Sequence, residues 1–205
     1  MVAARGRPFR VVIAITGASG GILGVRLVEE LQYRVETHVI VSRRGGDVIS
    51  EETIHTADKV RAMGAYAYDD EDLHAPVASG SYLTDAMVVV PCSIKTLSAI
   101  AYSRADTLVA RAADVMLKER RRLVLVVRES PLHWGHLDSM RRVTEMGAIV
   151  CPPVPAFYTA PRTIEELIDQ SVGKLLDLLG LEHELSPRWG EGGAASISPD
   201  EEAGA

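Results

Sequence analysis

The sequence predicts an α/β fold, a single three-layer α/β/α domain whose parallel sheet is covered by helices on both faces. Three observations predict it. Strand-like and helix-like segments alternate along the whole chain, which is the pattern of a parallel sheet with helical crossovers. The strand segments are apolar at nearly every position, as strands buried on both faces are. The first of them runs straight into a glycine turn and a helix, "VVIAITGASGGILGVRLVEEL" at residues 11–31.

The elements follow in order. Residues 11–15 are the first strand, Thr16-Gly17-Ala18-Ser19-Gly20-Gly21 the turn, and the amphipathic stretch after it the first helix. Unpaired N–H groups at that helix N-terminus and the positive end of its dipole favour an anion, so the turn points to a phosphate-bearing ligand. "VETHVIVS" (35–42) reads as the second strand, and "GGDVISEETI" (45–54) begins a helix. Residues 56–85 read as polar and irregular, with the acidic run Asp69-Asp70-Glu71-Asp72. "AMVVVP" (86–91) is the third strand; Pro91 closes it and Ser93 is placed to cap the helix "IKTLSAIA" (94–101).

In "TLVARAADVMLKE" (107–119), Leu108, Val109, Ala112, Val115 and Met116 recur at helical spacing. "RLVLVVRE" (122–129) is the fourth strand, apolar until Arg128 and Glu129. "LDSMRRVTEM" (137–146) is a helix ended by Gly147, and "AIVCP" (148–152) a short fifth strand. The last helix carries a cap at Thr163, Glu166 in the capping-box position, a stripe from Ile164 to Leu179, and a stop at Gly180. The expected layout is an extension over 1–9, a ligand-binding α/β domain over 10–183 and a tail over 184–205. Within the tail, Arg188-Trp189-Gly190-Glu191 is expected to order over the site, and the Gly-, Ala-, Ser- and acid-rich remainder to be disordered. The whole is a Rossmann/flavodoxin-like arrangement.

Composition narrows the function classes. A chain of 205 residues, 47% hydrophobic and 24% charged, has the makings of one globular domain with an ample core. A net charge of -6 argues against a general affinity for nucleic acid or anionic membrane. The two cysteines, Cys92 and Cys151, have neither CxxC nor Cys/His spacing, so a disulfide framework or structural zinc site is not expected. No apolar run approaches the roughly 18 residues of a membrane span, and the first strand is too short for a signal-peptide core. The expected location is the cytoplasm.

Ligands of doubly wound sheets bind at the carboxyl ends of the strands. The unusual chemistry of this chain gathers there: Gly17 to Gly20, Ser42, Cys92 to Thr96, Arg128-Glu129 and "PPVPAFY" (152–158). "TGASGGIL" nearly matches the turn of nicotinamide-dependent short-chain reductases, but Leu23 replaces the last glycine and no Tyr-x-x-x-Lys pair exists. The second strand ends in Ser42-Arg43-Arg44, without the acid that binds an adenosine ribose. A mononucleotide fits better. Ser19, Ser42, Ser93 and Thr96 offer hydroxyls suited to one terminal phosphate and a ribityl chain, and Arg128 can complete the anion site. Taken singly, each hydroxyl is equally a cap or turn residue.

Five stretches carry a more specific signal: "GASGGILGVRL", "SGSYLTDAMVVVPCSIKTLSAIA", "RAADVMLKERRRLVLVVRESPLHWGHL", "GAIVCPPVPAFYTAP" and "PRWGE". Through them, from about Val11 to Glu191, the chain resembles the UbiX-type flavin prenyltransferases, part of the homo-oligomeric flavin-containing decarboxylase-like superfamily. The resemblance implies a metal-independent enzyme that joins a dimethylallyl group from dimethylallyl monophosphate to N5 and C6 of reduced FMN. The product would be the prenylated FMN cofactor of a UbiD-type decarboxylase. It implies that Gly17, Ala18, Ser19, Ser42, Ser93, Ile94, Lys95, Thr96 and Arg128 hold FMN. Lys118, Arg128, Glu129, Tyr158 and Lys174 would surround the allylic phosphate, with Trp189 closing the pocket. Ser19, Glu52, Lys118 and Glu129 would carry the chemistry. A homododecamer with sites at subunit junctions is implied as well. Lys174 stands where relatives often have Arg, and Ser103 and Thr107 where many have Gly and Asn.

Plainer readings sit beside these. Cys92 reads as a small core residue, and His133 and His136, at metal-pair spacing without a third ligand, as helix surface or interface. Lys118 alone would be a surface lysine paired with Asp114. Glu52 could be a helix-face acid, and Tyr158 could simply pack a proline-rich loop. Asp69 to Asp72 ends in Leu73, short of the Asp-Asp-x-x-Asp that clamps magnesium diphosphate, and reads as a solvated loop. Two other functions stay open at this point: an FMN-dependent decarboxylase of thiols or aromatic acids, and a non-catalytic flavin carrier for a decarboxylase. Lys118, Arg128, Glu129, Tyr158 and Lys174 favour prenyl transfer, because such a decarboxylase needs no second phosphate site.

Overall fold

A computed structural model describes residues 6–188 and 190. Six strands form one sheet in the order β3-β2-β1-β4-β5-β6, each neighbouring pair parallel. They are β1 (Arg10–Ile15), β2 (Glu36–Val41), β3 (Tyr66–Asp69), β4 (Ala86–Cys92), β5 (Arg122–Val127) and β6 (Ile149–Val150). The order reverses between β1 and β4, so the crevice of a doubly wound sheet opens there, beyond the strands' carboxyl ends.

Two compact units divide the chain, the first ending at Pro153 and the second beginning at Val154. In the first, side-chain alternation sends each central strand to both layers. Val12, Ala14, Met87, Val89, Leu123 and Leu125 share one core cluster with residues of α4 (Ile94–Ala101), α5 (Leu108–Lys118) and α6 (Trp134–Glu145). Their neighbours Val11, Ile13, Val88 and Val124 are equally buried and face the other way. That side carries α1 (Gly21–Leu31), α2 (Arg43–Glu52) and α3 (Ala57–Met63). Each fully buried Val, Leu or Ile adds roughly 1.5–3 kcal/mol, which makes this double-sided burial the main source of stability. Gly24 lets α1 close on the sheet, since a Cβ there would collide with the Val90 carbonyl and the Ile15 side chain.

In the second unit, α7 (Ile164–Leu179) buries Val172, Leu175, Leu176 and Leu179. Thr163 accepts the Glu166 N–H at 3.2 Å, and Glu166 Oε2 reaches back to the N–H of Arg162 at 2.6 Å. The reciprocal contact therefore lands one residue earlier than a strict capping box places it. Gly180 stops the helix at φ 73°, in the left-handed region that suits glycine.

Residues 56–85 correct the sequence expectation, because they hold α3, β3 and a 3-10 turn at Pro76–Ala78. β3 has only four residues, mostly exposed, and pairs on one side with β2. A short edge strand lacks the continuous apolar run that marks the inner ones. Asp70 is no solvated acid either. Its carboxylate accepts the Val109 N–H at 2.9 Å and its carbonyl the Leu108 N–H at 2.7 Å, so it holds the start of α5. Burial there pushes its carboxyl up, against the lowering effect of hydrogen bonds from the Val109 N–H and the Thr107 side chain. α2 starts at Arg43 rather than Gly45, α6 at Trp134 rather than Leu137, and the fifth expected strand shrinks to Ile149–Val150. No helix among the described residues is long and apolar enough to cross a membrane. The expected tail disorder falls on residues outside those described.

Candidate active site

Hydrogen bonds draw four turns together at the carboxyl edge of the sheet. The Ser42 N–H donates to the Ile15 carbonyl at 3.0 Å, and the Arg128 N–H to the Cys92 carbonyl at 3.2 Å. Thr16 joins the turns after β1 and β4. Its hydroxyl donates to the Pro91 carbonyl at 2.8 Å and accepts the Ser93 N–H at 2.9 Å. This threonine is buried, and a buried hydroxyl must be hydrogen-bonded or it costs stability. Sequence reasoning passed over it; a threonine ending an otherwise apolar strand was the available signal.

The hydroxyls of the site are also helix caps. Ser42 accepts the Gly45 N–H at 3.1 Å to start α2, and Ser93 accepts the Thr96 N–H at 3.3 Å to start α4. The Ser93 and Thr96 hydroxyls lie 3.1 Å apart. Ile94, Lys95 and Thr96 form the first turn of α4, with Lys95 exposed at its positive end. In the glycine turn, a Cβ at Gly17 would collide with the Arg44 side chain, and Gly20 has φ 101°.

Glu52, at the end of α2, changes the reading of that turn. Its Oε2 accepts the N–H groups of Gly20 at 2.8 Å and Gly21 at 3.0 Å. The donors expected to meet a phosphate are taken by a carboxylate of the chain itself. Desolvation would raise this carboxyl, but hydrogen bonds from Ser19, Gly20 and Gly21 and the Arg128 charge outweigh it, holding Glu52 below the usual range. Ser19, Glu52 and Arg128 are thus one electrostatic group. Glu129 follows Arg128 on the same exposed turn and accepts the Ser130 N–H at 3.0 Å.

The other residues singled out from the sequence belong to other segments. Lys118 ends α5, four residues before β5 begins at the opposite edge of the sheet. β5 spans six residues, so at about 3.3 Å per residue its two ends lie roughly 20 Å apart, with Lys118 shortly before the one and Arg128 just past the other. Its ammonium pairs with Glu119 at 2.6 Å, while Asp114 pairs with Arg111 at 3.1 Å, which corrects the expected Lys118–Asp114 pair. Tyr158 and Lys174 belong to the second unit, where they line one polar cavity of about 280 Å³ with Asp177, His183 and Arg188. Trp189 lies outside the described residues. Cys92 is fully buried, and burial pushes its thiol up to about 12, far from an activated thiolate. His133 caps α6 through Nδ1, which accepts the Gly135 N–H at 3.0 Å, with the His136 ring 3.7 Å away. Among the described residues, no three His, Cys, Asp or Glu side chains are grouped to hold a metal ion.

A doubly wound sheet with a hydroxyl-lined, glycine-turned rim defines a mononucleotide-binding α/β protein, and the flavoprotein family model matches residues 3–176. Within that family the chain belongs to the UbiX-type flavin prenyltransferases. It is 50% identical to the flavin prenyltransferase UbiX of Archaeoglobus fulgidus over 182 residues, covering 88% of this chain and all of that one. A crystal structure of the UbiX protein AnUbiX (PadA1) in complex with FMN and dimethylallyl pyrophosphate superposes with a TM-score of 0.88. It is 50% identical and covers 89% of this chain and 98% of that one. A dodecameric FMN-dependent UbiX-like decarboxylase from Escherichia coli O157:H7 gives a TM-score of 0.87 at 43% identity, covering 88% and 99%.

Proposed function

We propose that this chain joins a dimethylallyl group, donated by dimethylallyl monophosphate, to N5 and C6 of reduced FMN, and so makes the prenylated flavin used by a UbiD-type decarboxylase. The observation that carries the reading is the likeness, at a TM-score of 0.88 and over 89% of the chain, to a UbiX bound to FMN and dimethylallyl pyrophosphate. The rim described above suits FMN on chemical grounds. Ser19, Ser42, Ser93 and Thr96 supply hydroxyls, Lys95 and the α4 N-terminus favour a phosphate, and Gly17 leaves a cradle that a side chain would fill.

Reduced FMN supplies the nucleophilic nitrogen and carbon; the chain's own residues prepare the other partner. Phosphate must leave an allylic carbon, and its oxygens gain charge as the carbon–oxygen bond breaks. Arg128 and Lys118 are cations that interact more strongly with those oxygens in the transition state than before it, and for Tyr158 and Lys174 a part toward the allylic phosphate follows from the family resemblance. Glu129, exposed beside Arg128, is placed to exchange protons with the leaving phosphate or to accept the proton lost at C6. Glu52 and Ser19, hydrogen-bonded to each other, fix the turn beneath the reacting end.

Because Lys118 sits at the far edge of its own sheet, a complete site takes Lys118 from a neighbouring copy. This fits an assembly of many chains, and a dodecamer is the size proposed here. The same reading places the protein in the cytoplasm, supplying quinone or aromatic-acid metabolism.

The test is anaerobic incubation of purified protein with reduced FMN and dimethylallyl monophosphate, without added magnesium, followed by mass spectrometry of the released flavin. A flavin heavier by one isoprenyl unit is expected. Unmodified FMN, still bound, would leave a flavin carrier or a decarboxylase.

A further inference from the structure

The second unit contains an arrangement that the proposed chemistry does not yet use. Gln170, Lys174 and Asp177 recur at helical spacing on one face of α7 and line the cavity described above. Asp177 does not pair with Lys174. Its Oδ1 accepts from Arg188 Nη2 at 2.7 Å and from His183 Nε2 at 3.2 Å. His183 Nδ1 accepts the Leu185 N–H at 3.2 Å, so the proton of the neutral ring sits on Nε2 and points at Asp177. The His183 side chain is only 1% exposed. A second feature holds the same segment down. A Cβ at Gly173 would lie 2.7 Å from His183 Cε1 and 3.1 Å from Ser186 Oγ, so residues 183–186 rest directly on the α7 backbone. Among the described residues, Lys174 has no carboxylate partner within ion-pair distance.

We propose that Asp177 is a positioning residue for the phosphate end of the allylic substrate. By holding Arg188 and His183 it folds residues 183–188 against α7, where they wall the cavity lined by Tyr158 and Lys174. By engaging its negative charge with those two partners it leaves the Lys174 ammonium for an anion. The inference rests on the proposed role of Tyr158 and Lys174 toward the allylic phosphate. It adds that the site's anion affinity is set by a carboxylate that never touches the substrate, and by a glycine whose missing side chain gives the wall its seat.

The experiment compares Asp177→Asn, Asp177→Glu, Gly173→Ala and Lys174→Ala in FMN-loaded protein. It reads KM and kcat for dimethylallyl monophosphate, and the Kd of that ester by calorimetry. Asp177→Asn keeps the side chain's size and hydrogen-bonding capacity, so the fold survives while the charge is lost. A charge-assisted hydrogen bond at a half-exposed site corresponds to about a tenfold change in affinity. The expected result is a KM and Kd raised by about that factor in Asp177→Asn and Gly173→Ala, with kcat and FMN affinity within about twofold and partial recovery in Asp177→Glu. Unchanged KM and Kd in both variants would overturn the proposal, as would a loss confined to kcat or accompanied by loss of FMN. If Lys174→Ala raises KM while the Asp177 and Gly173 variants do not, only the positioning role falls. If Lys174→Ala also leaves KM unchanged, the phosphate assignment of the cavity falls with it.

Discussion

Glu52 shows how much one side chain can decide. Its carboxylate joins α2 to the start of α1 through two backbone N–H groups. Replacing it with Gln removes the charge from a helix N-terminus and weakens both contacts, a loss of roughly 1 kcal/mol at a surface-exposed cap. Because its folded pKa lies below the ordinary value of 4.5, its contribution is present above that value and is lost as pH falls through the folded pKa. Urea unfolding should therefore show wild type ahead of Glu52→Gln at neutral pH, with the gap closing as pH falls below 4.5 and through the lowered folded pKa. Cys92 leads to the opposite expectation for activity. Cys92→Ala should cost about 1 kcal/mol of stability through a small cavity, yet leave prenyl transfer intact, because a thiol pushed up to about 12 offers no nucleophile. A denaturation curve and a turnover assay on the same preparation check both halves. Ser93 and Cys92 were legible from the sequence because cap and core chemistry are local. The contact of Glu52 with Gly20 was not, since it joins residues 32 apart through a carboxylate whose direction only the folded α2 sets.

At the scale of elements, the sequence is clearest where a helix carries its own punctuation. α4 and α7 begin and end where Ser93, Thr163 and Gly180 place them. It is least clear where an element depends on a neighbour. β3 exists through its pairing with β2, and α5 is started in part by Asp70, which lies 39 residues before Val109. Close packing of α1 offers a direct test. Gly24→Ala forces a methyl against the Val90 carbonyl and Ile15, neither of which can rotate away freely. A loss of about 1–3 kcal/mol is expected, read as a lower midpoint in urea without a change in slope.

For the whole molecule, the opposite placement of Lys118 and Arg128 means that the proposed site, if it uses both, must draw them from different copies. Lys118→Ala and Glu129→Gln should each abolish or strongly reduce turnover alone. Co-expressed in equal amounts, they should recover about one quarter of wild-type activity, since that share of sites draws an intact Lys118 from one copy and an intact Glu129 from another. Recovery no greater than either variant alone would place both residues in one chain's site. The doubly wound architecture and the clustering of hydroxyls at strand ends could be read from the sequence. The placement of Lys118 at the far edge from Arg128 could not, because nothing in a linear chain says which end of a sheet α5 finishes at.

The occupied helix terminus beneath the glycine turn has one more consequence, for selectivity among nucleotides. A dinucleotide laid across such a sheet sets its pyrophosphate on the N-terminus of the first helix. Here it would meet the Glu52 carboxylate in place of the Gly20 and Gly21 donors, adding like-charge repulsion to the loss of both hydrogen bonds. Nicotinamide and adenine-containing dinucleotides are therefore expected to bind far more weakly than FMN, and Glu52→Gln to narrow that gap, which titration of both ligands against each protein checks.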